Sequence, residues 1–210
     1  MSKQQYQVLA LIGKAGAGKD HIQNVTCSAH PGTFHKIVSC TTRPMRDNEV
    51  DGEDYHFLSI PEFTRKVLNG EMLEATEFRD WFYGTSIESL DINKINIGVF
   101  NPAGVNALLE SPELNVKVVY VDTCDKTRLM RYLTRSENPD CAEMCRRYFA
   151  DNKDFETLDF DFYYLPNEAT AMADLLYRKE VTAVLSDMYS DILDASVIKA
   201  ESNDKEDKNE

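Results

Sequence analysis

The chain has 210 residues, 42% of them hydrophobic, with ten Phe and ten Tyr, enough for one substantial core and unlike a disordered chain. Its formal net charge of −13 excludes general attraction to nucleic acid or to an anionic membrane, because neither field draws in so acidic a molecule. A small phosphorylated ligand remains compatible, since a few local Arg and Lys side chains outweigh a distant negative surface.

In chain order, "MSKQQYQ" lacks the apolar segment of a signal peptide, and no run of about 18 apolar residues follows anywhere. A soluble, cytoplasmic protein is expected. "YQVLALIG" predicts a strand that ends in glycine, and a helix is expected from Asp20. Between them Gly13, Lys14, Ala15, Gly16, Ala17, Gly18 and Lys19 match G-x-x-x-x-G-K, the spacing of a loop that cradles phosphate. The glycines allow backbone N–H groups to turn inward, and the following helix offers its positive end to an anion. Lys19 is placed to reach the β- and γ-phosphates of ATP. The pattern asks for Ser or Thr next, and Asp20 stands there instead.

Further apolar runs at 36–39, 95–100, 116–121 and 160–165 predict strands, with helical patterns at 102–110, 126–135, 142–155 and 168–177. Strands alternating with helices predict an α/β fold, a mostly parallel sheet flanked by helices, of the P-loop NTPase kind. Two intervals break the alternation. Residues 39–89, rich in Arg, Tyr, Gly and Glu, read as an inserted subdomain; residues 126–156 read as a helical pair with the polar tip "TRSENPD". The core is then 1–38, 90–125 and 157–198, one domain in all. Val181, Val184, Leu185, Met188 and Ile192 form a stripe at helical spacing, expected as a terminal helix on the sheet, and the acidic tail 199–210 is expected to be disordered. Five cysteines without a CxxC pair predict reduced thiols. Cys141 and Cys145, one helical turn apart, read as small helix residues because no partner cluster completes a metal site. No residue pattern assigns an oligomeric state.

The segments "IVSCTTRPMRDNEVDGEDYHF" and "GEMLEATEFRDWFYGTS" resemble the nucleotide-acceptor region of guanylate kinases, and "SPELNVKVVYVD" with "RLMRYLTR" resembles the strand and arginine-bearing lid that follow. The elements S-x-T-T-R-x-x-R, D-G-x-D-Y and E-(x)8-Y-G-T occur together and in order. The chemistry stands beside the resemblance. Guanidinium forks bind phosphate oxygens bidentately, so Arg43 and Arg46, with the phenols of Tyr55 and Tyr83, suit a monophosphate clamp. A guanine edge offers N1–H and N2–H to a carboxylate such as Glu74, while hydroxyls such as Ser39 and Thr85 suit O6. Adenine would leave Glu74 facing a lone pair, a mismatch costing roughly 1–3 kcal/mol. Taken singly, Glu74 also fits a solvated helix charge.

By resemblance, Arg43, Arg46, Tyr55 and Tyr83 hold the phosphate of GMP, and Ser39, Glu74 and Thr85 hold its base. Lys19, Arg43, Arg131, Arg135 and Arg147, with Arg146 close behind, surround the moving phosphoryl group, and Asn167 in "YLPNEAT" contacts adenine. Positive charge and positioning are what phosphoryl transfer needs. The family carries D-x-D on its middle strand, where this chain has Val99 and Asn101 in "GVFNPAG". Carboxylate lost there and gained at Asp20 suggests that Asp20 ligates Mg2+, which takes one or two carboxylates plus phosphate oxygens and water. The expected partners are small nucleotides, ATP and a nucleoside monophosphate, with (d)GMP as acceptor. A deoxynucleoside monophosphate kinase of wider base range, phage-type loop included, and a non-catalytic guanylate kinase-like binding module are the competing readings.

Overall fold

The computed structural model describes residues 5–46, 49–78 and 80–167. The expected helices at 168–177 and 180–198 and the tail 199–210 lie outside the described residues. Among those described, no helix is long and apolar enough to cross a membrane, and no three His, Cys, Asp or Glu side chains form a metal cluster.

The molecule is α/β. Strand β1 (Tyr6–Ile12) lies at the centre of a five-stranded parallel sheet, ordered β2 (Phe34–Lys36), β7 (Ile95–Val99), β1, β8 (Leu114–Asp122), β9 (Tyr163–Pro166). β1 is apolar on both faces because both are covered. Leu9 and Leu11 join Ile22 of helix α1 (Lys19–Ala29) on one side; Val8, Ala10 and Ile12 join Val105 and Leu108 of α3 (Pro102–Glu110) on the other. Truncating one of these fully buried Leu or Ile side chains to Ala would cost about 2–5 kcal/mol. Buried Gln23 is satisfied by the carbonyls of Ile37 and Ile97 at 3.1 and 2.8 Å, which ties α1 to β7 and to the connector just past β2.

Residues 40–86 build a second sheet in the order β4 (His56–Phe57), β3 (Cys40–Thr41), β6 (Trp81–Ser86), β5 (Met72–Phe78). Helix α2 (Ile60–Leu68) covers it through Phe63, which stacks on Phe82. Its start is a capping box: Ser59 and Glu62 bond each other's backbone N–H, and Pro61 lies in the first turn. Helices α4 (Asp125–Leu133) and α5 (Cys141–Asp154) form the helical pair, the second capped by Asp140.

Four expectations are corrected. The strand expected at 36–39 is Phe34–Lys36: the chain pairs with β7 only that far, then turns toward the second sheet, where Ser39 O accepts from His56 N. Ser39 therefore stands in a connector rather than ending a strand. The strand expected at 160–165 is Tyr163–Pro166, because Phe160 packs into the apolar cluster before the pairing with β8 begins. Glu74 lies on strand β5 and not on a helix face. Arg135 is not on a helix with Arg131: α4 stops at Leu133, where Thr134 turns its hydroxyl back onto Met130 O.

Candidate functional site

The carboxyl ends of β2, β7 and β1 open into one cleft of about 530 Å³, where parallel sheets place ligands. The loop after β1 is held from outside by its carbonyl groups. Lys19 Nζ donates to Gly13 O at 2.6 Å and to Lys14 O at 3.3 Å. Arg128 takes Ala15 O at 3.0 Å, and Arg131 takes Gly16 O and Ala17 O at 3.0 and 3.2 Å. Asn167 and Thr123 also donate to Ala17 O, at 2.6 and 3.2 Å. With the carbonyls turned away, the N–H groups of Gly16, Gly18, Lys19 and Asp20 find no acceptor among the described residues, which is the condition of an anion-binding nest. Gly16 and Gly18 have φ of +81° and +94°. A Cβ at the first would lie 2.9 Å from Arg128 O, and at the second 2.6 Å from Asn167 Nδ2. Only glycine meets both demands. Burial among the loop groups pulls the Lys19 pKa below its ordinary value, against the opposing pull of Asp20 and Asp151. Asp20, exposed in the first turn of α1, lines the cleft. It makes no hydrogen bond or ion pair among the described residues.

Across the cleft, Arg43 is 5% exposed and donates to both carboxylate oxygens of Glu49, at 2.9 and 2.7 Å. Glu49 also accepts from the Arg46 N–H at 2.9 Å. These bonds hold the Glu49 carboxyl below its usual range and the Arg43 guanidinium above its own. Tyr55 and Tyr83 pack edge to face, the Tyr55 ring lies 5.5 Å from the guanidinium, and burial raises the Tyr55 phenol. Arg43, Arg46, Tyr55 and Tyr83 line the same space as Lys19. Glu49 thus fills the Arg43 fork with a carboxylate.

Deeper, Glu74 faces Thr85 in the register of β5 and β6 and accepts its hydroxyl at 2.9 Å. Burial pushes the Glu74 carboxyl up to about 7, with the Thr85 bond pulling the other way. Ser39, Val99 and Asn101 line the wall nearby. Asn101 caps α3: its Oδ1 accepts from Gly104 N at 2.7 Å, so its amide NH2 is the group left for a ligand.

The lid arginines divide. Arg135, Arg146 and Arg147 line the cleft, whereas Arg131 is engaged on the outer, carbonyl side of the loop with Asn167. Glu143 holds Arg146 at 2.7 and 3.0 Å and Arg147 at 2.7 Å, and these partners lower its carboxyl to about 2. Sequence reasoning missed Glu49, Arg128, Glu143 and Asp151. Spacing held clues to two of them: Arg128 lies three residues after Asp125, and Glu143 lies three and four residues before Arg146 and Arg147, one helical face each. Nothing in the local pattern marks Glu49, which meets Arg43 through a loop.

Compared with known proteins, residues 5–173 match the sequence profile of the family described as guanylate kinase. A guanylate kinase of Helicobacter hepaticus is 28% identical over 174 residues, 80% of this chain and 86% of that protein. A guanylate kinase of a Nostoc species is 37% identical over 92 residues, 44% of this chain and 45% of the other, and human Disks large homolog 3 is 43% identical over 76 residues, 36% of this chain but 9% of its own length. Among solved structures, guanylate kinase from Anaplasma phagocytophilum superposes with a TM-score of 0.62 at 20% identity, over 88% of this chain and 87% of that one, a likeness of fold. By the extent of the profile match, the chain belongs to the guanylate kinase family of ATP-dependent phosphotransferases.

Proposed function

We propose that the protein is a nucleoside monophosphate kinase that moves the γ-phosphoryl group of ATP to (d)GMP, giving ADP and (d)GDP. The observation that carries this reading is the shared cleft: Lys19 on the donor loop and the Arg43 and Arg46 fork open into one space. Two anionic nucleotides can there meet phosphate to phosphate, inside an otherwise acidic molecule.

In this mechanism Lys19 leaves the Gly13 carbonyl for the β- and γ-phosphates, over loop N–H groups already turned inward. Arg43 exchanges Glu49 for the acceptor phosphate, helped by Arg46, Tyr55 and Tyr83. Ionised Glu74 accepts from N1–H and N2–H of guanine, with Ser39 and Thr85 beside it. Arg135 and Arg147, or Arg146, offset the charge of the moving group, and closure of the insert 39–89 and the lid 126–156 excludes water. No general base is required, since the acceptor phosphate is already anionic. The donor set suits magnesium: Asp20 is a hard carboxylate oxygen donor at the loop, exposed to the cleft, and would hold Mg2+ directly or through water. Bound there, the ion would supply positive charge that offsets the charge of the phosphates.

One observation favours a second reading, a kinase of wider base range. Asn101 spends its oxygen on the helix cap and offers the acceptor base a donor in place of a carboxylate. A coupled assay of ADP release over the eight ribo- and deoxynucleoside monophosphates tests both. Turnover with guanine nucleotides alone supports the first and turnover with several bases supports the second. No turnover with any acceptor, from folded protein, overturns both and leaves a binding module.

A further inference from the structure

Ala15 is gripped on both of its backbone polar groups by the helical pair. Its N–H donates to Asp151 Oδ2 of α5 at 2.6 Å, and its carbonyl accepts from Arg128 Nη1 of α4 at 3.0 Å. The two side chains meet each other at 3.3 Å. Arg128 is 3% exposed, and its Nη2 donates to Asp125 Oδ1 at 2.7 Å. Its guanidinium lies 5.5 Å from the Tyr148 ring, whose hydroxyl donates to Asp125 Oδ2 at 2.6 Å. Arg128 Nε is buried with no hydrogen-bond partner among the described residues.

Such an arrangement is costly. A buried guanidinium between two carboxylates, one donor unsatisfied, commonly holds a fold no better than a well-packed apolar side chain. Packing alone therefore does not account for it. What the pair does fix is the orientation of the residue 15 backbone at the tip of the phosphate loop, immediately before Gly16 and beside the cleft. An anion nest works only while its N–H groups converge, and a backbone rotation at the tip would turn the nest away. Gly16 packs directly on the Arg128 backbone, and Arg128 is close enough to Lys19 to act on its charge. Lys14 adds a third tie from the loop to α5, donating to Asn152 Oδ1 at 2.7 Å.

We propose that Arg128, oriented by Asp151 and acting through Ala15, is a positioning residue that keeps the donor loop in its anion-binding form. The proposal rests on the reading of that loop as the ATP site. It makes donor binding, and not acceptor binding, dependent on the contact between the helical pair and the loop.

The test is calorimetric titration of Mg-ATP and, separately, of GMP, into the native protein and into R128L/D151A, with melting curves for both. The double change removes both charges together, so no lone buried charge remains. The expected result is a folded protein whose Mg-ATP dissociation constant rises at least about tenfold while that for GMP is unchanged. In turnover, KM for ATP rises and kcat at saturating ATP holds. The milder R128K keeps the charge but loses the planar fork, and the same ATP-only weakening is expected at about threefold. Native affinity for Mg-ATP in a folded variant, or an equal loss for both nucleotides, overturns the proposal. Failure of the native protein itself to bind Mg-ATP would instead overturn the kinase reading beneath it.

Discussion

Thr85 reaches from β6 to donate its hydroxyl to Glu74 Oε1 at 2.9 Å, the two residues being directly opposed in the sheet. Burial holds the carboxyl near 7, so guanine recognition should titrate close to neutrality. N1–H and N2–H both need the ionised form. GMP affinity should therefore fall as pH drops from 8 to 6, by about tenfold from Glu74 alone for a pKa of that size. Titrations of native protein and E74Q across this range separate the effect from ionisation of the nucleotide phosphate. Parallel slopes for the two proteins would rule the assignment out.

The same carboxyl acts on stability with a definite sign. Its folded pKa lies above the unfolded value of 4.5, so the native state holds the proton more tightly. Stability from this group is fully present below pH 4.5 and is lost as pH rises through 7, about 3 kcal/mol in all. E74Q should thus melt above the native protein at pH 8 and close to it at pH 5. A lower melting point for E74Q at pH 8 would contradict the burial argument.

The Glu49–Arg43 pair leads to a different measurement. Removing the carboxylate charge leaves a nearly buried guanidinium short of its anion, so E49Q should lose about 1–2 kcal/mol of stability without ligand. A monophosphate then supplies the missing charge, and GMP should raise the melting temperature of E49Q by more than it raises that of the native protein. Equal ligand-induced shifts would show that Glu49 does not stand in the acceptor phosphate position.

Much of this site was legible because its markers are local. The loop glycines, Lys19 and the pair Arg43 and Arg46 each sit within one short segment whose spacing dictates its chemistry, and the parallel order follows from apolar runs such as 6–12 that carry no polar face. Contacts that join distant segments were not legible. Arg128 and Asp151 lie 23 positions apart and meet Ala15 over a hundred residues upstream; each reads alone as a solvated helix charge. The end of α4 at Leu133 was missed for a related reason, because Arg131 and Arg135 keep helical spacing while the helix stops short of Arg135, where Thr134 turns its hydroxyl onto Met130 O. The capping box at Ser59 and Glu62 was visible as S-x-x-E before a Pro-led helix start, yet it lay between the two segments, 37–57 and 70–86, that were read for their motifs.

Asn101 offers a test of base choice. Its oxygen is committed to Gly104 N, and an Asp there would keep the cap with one oxygen and present the second as an acceptor. N101D should therefore favour guanine, whose N2–H lacks a counterpart in adenine, by about 1 kcal/mol or roughly fivefold in kcat/KM. The ratio of GMP to AMP turnover in native and variant protein measures this. An unchanged ratio would mean that residue 101 does not face the base.

Asp20 decides the last prediction, because its sign depends on the metal. A carboxylate 4 Å from a phosphate charge is unfavourable by about 4 kcal/mol at an effective dielectric of 20, and a divalent cation between them reverses the sign. Native protein should bind ATP poorly without Mg2+ and much better with it. D20N removes both the repulsion and the ligand, so it should bind metal-free ATP more tightly than native protein and gain less when Mg2+ is added. Four dissociation constants, native and D20N with and without Mg2+, contain the whole comparison. If all four agree, Asp20 has no part in holding the ion, and the missing loop hydroxyl is then not replaced from this position.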